Sequence, residues 1–93
     1  MKILVVYPGS KTSYQFHNRR EEFWVIVKGE GEVRLDGSFR KIEAGDYIFI
    51  PKECRHQVRN LSLNSDLIIV EVQLGDYFGE DDIIRLEDRY GRS

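Results

Sequence analysis

The chain carries a single cysteine, Cys54, so no intrachain disulfide can form and a disulfide-stapled scaffold is excluded. A lone thiol fits a reducing compartment, and the cytoplasm is the expected address. Long apolar runs are missing as well. Nothing approaches the roughly 18 consecutive apolar residues that span a bilayer, so no membrane partner is expected. The opening run Ile3 to Tyr7 is shorter than the apolar region of a secretory signal and stops at Pro8-Gly9, a turn signal, so it is expected to be a first strand. An excess of one charge is also lacking. Lys and Arg number 14 against 16 Asp and Glu, a net charge of −2, spread along the chain without the basic stripe that holds a phosphate backbone. Nucleic acid is therefore not an expected partner. Histidine is scarce too, with only His17 and His56.

What is present is the composition of an ordinary globular domain, 41% hydrophobic and 32% charged, with Val, Ile, Tyr and Phe favouring strands. Ninety-three residues suffice for one core and are too few for two domains. There is no internal repeat, low-complexity tract or linker. Short apolar runs alternate with turn residues every 8–12 residues or so, the rhythm of an all-β sandwich or barrel. Strands are expected at 22–28, at 32–35 toward the Asp36-Gly37 hairpin turn, and at 38–42. Others are expected at 46–50, stopped by Pro51, at 55–60 and at 66–74. The expectation is one domain over 1–93, with the barrel at about 1–74. Residues 75–93 form a C-terminal arm with at most a short strand around Ile83 to Leu86.

Two spacings stand out: Gly9-x5-Gln15-x-His17-x4-Glu22-x6-Gly29, and Gly45-x5-Pro51-x4-His56-x3-Asn60. Alternate residues of a strand share a face, so Gln15 and His17 point the same way, as do Glu22, Trp24 and Ile26. If the next strand brings Glu22 level with that pair and His56 follows the proline turn, four donors converge. Two imidazoles, a carboxylate and an amide oxygen suit one divalent ion, Zn²⁺, Mn²⁺, Fe²⁺ or Co²⁺, and the lack of thiolates argues against a closed structural zinc site. A histidine taken alone is more often a surface residue than a ligand, but here both histidines fall at motif positions. Gln15 could instead hold a ligand in place by a hydrogen bond. Cys54 could be a further ligand or a reactive thiol, although a small buried residue is the commoner role. Trp24 and the other aromatics read as core. Arg19 and Arg20, beside Glu21 and Glu22, could be a solvated charge run or a clamp for an anionic substrate.

Both spacings resemble the two signature motifs of the cupins, double-stranded β-barrels related to the jelly roll. Gln15 stands where many cupins have a histidine, and Glu53 stands where the second motif usually has glycine. A more specific likeness extends from Pro8-Gly9 almost to the end. Ser13-Tyr14-Gln15-Phe16-His17, Arg20-x-Glu22-x-Trp24, and the segment from Glu71-Val72-Gln73-x-Gly75 to Tyr90-Gly91-Arg92 resemble the cupin domain of type II mannose-6-phosphate isomerases. That domain is often fused to a mannose-1-phosphate guanylyltransferase. The resemblance implies a metal-dependent aldose–ketose isomerase in carbohydrate metabolism, converting mannose-6-phosphate to fructose-6-phosphate. It implies Gln15, His17, Glu22 and His56 as ligands. Arg20 and Arg85 are implied as catalytic, and these two with Arg19 as substrate-binding.

Ninety-three residues cannot hold the guanylyltransferase half, so nucleotide transfer is not expected of them. The family usually shows His-His-His-Arg-Ala-Glu-His-Trp where this chain has His17-Asn18-Arg19-Arg20-Glu21-Glu22-Phe23-Trp24. The presumed ligands survive and three other histidines do not, and no proton carrier is identified. The rival readings are a non-catalytic sugar- or sugar-nucleotide-binding module and a metal-dependent oxygenase. Finally, turning Glu22, Trp24 and Ile26 inward sends Phe23, Val25 and Val27 outward, with Tyr14 and Phe16 expected beside them. Such an apolar patch predicts a homodimer.

Overall fold

A computed structural model of the chain describes residues 1–78 and 83–87, the last three of these by their backbone alone. The described residues form nine strands: β1 (Lys2–Val6), β2 (Tyr14–His17), β3 (Arg20–Lys28), β4 (Glu30–Leu35), β5 (Ser38–Glu43), β6 (Tyr47–Ile50), β7 (His56–Arg59), β8 (Leu67–Gly75) and β9 (Ile83–Glu87). They lie in two antiparallel sheets, ordered β1-β8-β3-β6 and β5-β4-β7-β2-β9. No helix among the described residues is long and apolar enough to cross a membrane.

Period-2 patterning explains how the sheets face each other. Along β3, Arg20, Glu22, Trp24 and Ile26 are buried while Glu21, Phe23 and Val25 are less so; along β8, Leu67, Ile69 and Glu71 are buried. Inward side chains of both sheets make one core, with Trp24, Ile26, Ile50, Leu67 and Ile69 from one side and Val33, Ile42 and Val58 from the other. Burying each such aliphatic side chain stabilises the fold by about 1.5–3 kcal/mol.

The Asp36-Gly37 turn forms as expected, closing β4 onto β5 with Leu35 opposite Ser38. Both turn residues have positive φ, 52° and 109°, which Asp-Gly tolerates and the twist of a two-residue hairpin requires. The turn also grips the loop that delivers His56. The Asp36 N–H donates to the Arg55 carbonyl at 2.8 Å, and the Asp36 carboxylate accepts from the Arg55 N–H at 2.8 Å.

Two expectations need correction. Strands β2 and β3 are not neighbours: β2 pairs with β7 and β9, and β3 with β8 and β6. The connection between them is only Asn18-Arg19, so the chain turns a corner from one sheet to the other, and His17 meets Glu22 across the barrel interior. Tyr14 is also not outward and bare. It is 7% exposed, with the Arg34 guanidinium 3.8 Å from its ring centroid. The tail adds β9 beside β2, with His17 opposite Ile83 and Gln15 opposite Arg85. The remaining tail positions named above, including Gly79 to Asp82, Tyr90, Gly91 and Arg92, lie outside the described residues.

Candidate metal centre

Three strands supply the candidate ligands. Gln15 and His17 come from β2, Glu22 from β3, and His56 opens β7, opposite Gln15 in the ladder. His17, Glu22 and His56 are each at most 3% exposed, and their donor atoms lie within 4.8 Å of one another. Glu22 Oε2 is 3.2 Å from His17 Nε2, and Glu22 Oε1 is 3.9 Å from His56 Nε2. The imidazoles face each other with ring centroids 5.2 Å apart.

Surrounding groups fix the protonation states a metal needs. His56 Nδ1 lies 3.1 Å from the Cys54 carbonyl, an acceptor only, so Nδ1 carries the proton and donates. That leaves the His56 Nε2 lone pair pointing into the cluster, buried and without a hydrogen-bond partner among the described residues. Burial holds the His56 pKa below the usual histidine value, partly opposed by the Cys54 hydrogen bond and Glu22. For Glu22, burial alone would raise the pKa, but the His17 hydrogen bond, the two imidazoles and the Trp24 indole together hold it at about 2. An anionic carboxylate beside a neutral imidazole with an orphaned lone pair is the state in which these groups bind a cation. The residues present fit one divalent ion.

Arg20 is buried against this cluster. Its Nε and Nη2 both lie 3.0 Å from Glu22 Oε2, and its Nη1 donates to the Phe78 carbonyl at 3.2 Å. Trp24 Nε1 donates to Glu22 Oε1 at 3.0 Å, and its ring meets His56 edge-on at 5.7 Å. Gln15 is half-buried, its Oε1 accepting from the Ser13 hydroxyl at 3.2 Å. A cavity of about 400 Å³ is lined by Gln15, Arg20, Glu22, Trp24, His56 and Glu71 among others, within the range of about 300–1,000 Å³ that small-molecule sites occupy.

Other expected site residues lie elsewhere. Arg19 is exposed, 3.5 Å from Asp76 and stacked over Tyr77 at 4.8 Å, and does not line the cavity. Arg85 is described by its backbone alone, opposite Gln15. Cys54 is a packed core residue outside the ligand cluster; burial, reinforced by Asp36, pushes its thiol up to about 11. Glu53, at the usual glycine position, has φ of 65°, so the left-handed turn survives the substitution at a cost of about 1–2 kcal/mol. Its N–H donates to the His17 carbonyl at 2.7 Å, tying the His56 loop to β2.

Sequence reasoning missed two participants. Trp24 read as core, and it is, but it also orients Glu22 through its indole. Period 2 already placed both on one face. Glu71 went unnoticed, although it stands at the inward phase of an apolar strand after Leu67 and Ile69. It is 6% exposed, and its Oε2 has no hydrogen-bond partner among the described residues. Burial, with Glu22 adding to it, raises its pKa.

Comparison with known proteins agrees with this architecture. The family described as mannose-6-phosphate isomerase C-terminal matches residues 1–88. A mannose-1-phosphate guanylyltransferase of Klebsiella pneumoniae is 40% identical over 89 residues, covering 96% of this chain and 19% of the relative. The alginate biosynthesis protein AlgA of Pseudomonas fluorescens is 42% identical over 93 residues, covering all of this chain and 19% of the relative. The chain thus spans about a fifth of the length of these relatives. Among solved structures, a predicted oxalate decarboxylase from Thermotoga maritima superposes with a TM-score of 0.74 at 29% identity, over 78% of this chain and 63% of that one. A cupin 2 conserved barrel protein from Salinispora arenicola gives 0.69 at 31% identity, over 76% and 58%. Barrel topology, a buried His-Glu-His cluster and a match across nearly the whole chain converge: this protein belongs to the mannose-6-phosphate isomerase C-terminal family and has the cupin fold.

Proposed function

We propose that this chain is a metal-dependent sugar-phosphate isomerase of the cytoplasm, interconverting mannose-6-phosphate and fructose-6-phosphate. The observation that carries the reading is the buried His17–Glu22–His56 cluster on a cavity sized for a small molecule, with the His56 Nε2 lone pair aimed into it. Those three residues, with Gln15 as a fourth, would hold one ion of Zn²⁺, Mn²⁺, Fe²⁺ or Co²⁺. When bound, such an ion supplies Lewis acidity, stabilising negative charge that develops on the sugar oxygens. The chain's own residues do the rest. Arg20 holds Glu22 in its ligating orientation and adds positive charge to the cavity for an anionic sugar, and Trp24 fixes the second Glu22 oxygen. Arg85, placed by β9 beside Gln15, and Arg19 at the corner are the further candidates for the phosphate.

The proposed assembly is a homodimer through the outer face of the β1-β8-β3-β6 sheet. Phe23 and Val25 are half-buried there, and Val27, Ile3, Val5, Tyr47, Phe49, Val72 and Leu74 are exposed. Registers place them side by side, with Phe23 opposite both Phe49 and Val72, and Val25 opposite Val70. A second copy suits the face because its apolar side chains lie side by side and can pair with their own copies about a two-fold axis.

Purified protein loaded separately with each of the four metals, then assayed with mannose-6-phosphate and fructose-6-phosphate, tests the reading. Metal-dependent interconversion is expected, weakened by Arg20→Ala and by Arg85→Ala. Sugar-phosphate binding without turnover under every metal would instead assign the chain to a non-catalytic binding module. That alternative draws support from the three replaced histidines and from relatives named as guanylyltransferases.

A further inference from the structure

Moving a hydrogen between two adjacent carbons as a proton, through an enediolate, requires a base beside the substrate, and the candidate metal centre has already committed its own. His17, Glu22 and His56 form the ligand cluster, and the Arg20 guanidinium has no acceptor site. Of the carboxylates lining the cavity among the described residues, Glu71 is the only one outside that cluster. Its place is built rather than incidental. It stands at an inward position of β8 where Leu67 and Ile69 precede it, opposite Trp24 on β3 and Lys2 on β1. Gln73 follows two residues on along the same strand, and Glu71 Oε2 is buried with no hydrogen-bond partner among the described residues. An unsatisfied buried carboxylate oxygen destabilises a fold, and an apolar residue would serve packing better at that phase. Retaining a carboxylate there makes sense if it faces a reacting group.

We infer that Glu71 is the catalytic acid–base group, carrying the proton between C2 and C1 of the open-chain sugar. This rests on the isomerase reading above. In the forward direction the Glu71 carboxylate takes the C2 proton of the aldose. The C–H electron pair becomes the C1=C2 π bond, and the carbonyl π pair moves onto O1. The hydroxyl proton passes from O2 to O1, giving an enediolate with its charge on O2. As the C2=O2 carbonyl forms, the C1=C2 pair takes the proton back from Glu71 at C1. The ketose leaves and the carboxylate is regenerated, so no co-reactant is consumed.

The test compares wild type, Glu71→Gln and Glu71→Asp, each with metal content, melting temperature and fructose-6-phosphate affinity measured beside kcat and KM. Glu71→Gln is expected to lose about 10²- to 10⁴-fold in kcat, the usual share of a general base. Metal content and sugar-phosphate affinity should stay within about threefold of wild type, with melting no lower, because the amide avoids burying a charge. A merely structural Glu71 would lose binding or stability together with rate, and that pattern overturns the inference. So does a Glu71→Gln kcat within threefold of wild type, which leaves the isomerase reading standing. If Glu71→Gln does not fold, Glu71→Asp decides, an undiminished kcat again overturning the role. A folded, metal-loaded wild type that binds the sugar phosphate without turnover overturns both this inference and the reading beneath it.

Discussion

At the scale of single residues, the centre depends on partners that leave Glu22 ionised and the His56 ring neutral. Four nitrogens lie within hydrogen-bond distance of the Glu22 carboxylate: two of Arg20, the Trp24 indole and His17 Nε2. The charge is buried but compensated, so removing any one donor exposes part of the desolvation cost. Removing an imidazole would also delete one of the proposed bonds to a bound ion. Metal content of protein purified without chelator is therefore expected near one ion per chain for wild type and far below that for His17→Ala and His56→Ala. Elemental analysis reads this directly, and a wild type that ignores added Zn²⁺, Mn²⁺, Fe²⁺ and Co²⁺ in titration would remove the site.

At the scale of elements, the strand ends set the site. Strand β8 ends at Gly75, opposite Arg20, with φ of 149°. A Cβ built there would sit 2.4 Å from the Arg19 carbonyl oxygen and 2.9 Å from the Arg20 Cα, both backbone atoms that cannot swing aside. Gly75 thus lets β8 run flush against the start of β3 and holds Arg20 over Glu22. Gly75→Ala is expected to destabilise the fold by about 1–3 kcal/mol, the range for forcing extra volume into a packed place. A displaced Arg20 should also weaken metal retention. Thermal melting and a metal titration on the same sample check both effects, and unchanged values in each would show that Arg20 needs no such seat.

On the scale of the whole molecule, the barrel buries the inner faces of its two sheets and leaves outer apolar side chains in water. The β1-β8-β3-β6 sheet turns one face to the core and leaves the other apolar in water, where single exposed residues are ordinary but a continuous face is not. An interface of about 800 Å² per partner is the usual size for a stable pair. Val27→Asp places a charge at a position 51% exposed in one copy, so the chain itself should still fold while the dimer weakens. Sedimentation at micromolar concentration is expected to give a dimer for wild type and a mass near the 11.0 kDa of one chain for the variant. A wild type already at that single-chain mass would mean another domain or partner covers the face.

Much of this was readable from residue order because a strand has a fixed period. Alternation placed Glu22, Trp24 and Ile26 on one face of β3, and Asp36-Gly37 announced its hairpin. The two motif spacings single out Gln15, His17, Glu22 and His56 from residue order alone. These are local consequences of backbone geometry, and the distances involved are a few residues. Which strands lie side by side is not local. Asn18-Arg19 could have been a hairpin turn as easily as a corner, and only the folded barrel decided that β2 and β3 belong to opposite sheets. Tyr14 is covered because Arg34, twenty residues away in the chain, lies over it. Arg20 read as part of a solvated charge run or as an anion clamp, and only the fold set it on Glu22. Glu71 is separated from Glu22 by 49 positions, so nothing in the order of residues announces that they line one cavity. Nearest-neighbour stereochemistry writes the faces of strands into the sequence, whereas the pairing of sheets depends on burying all those faces at once.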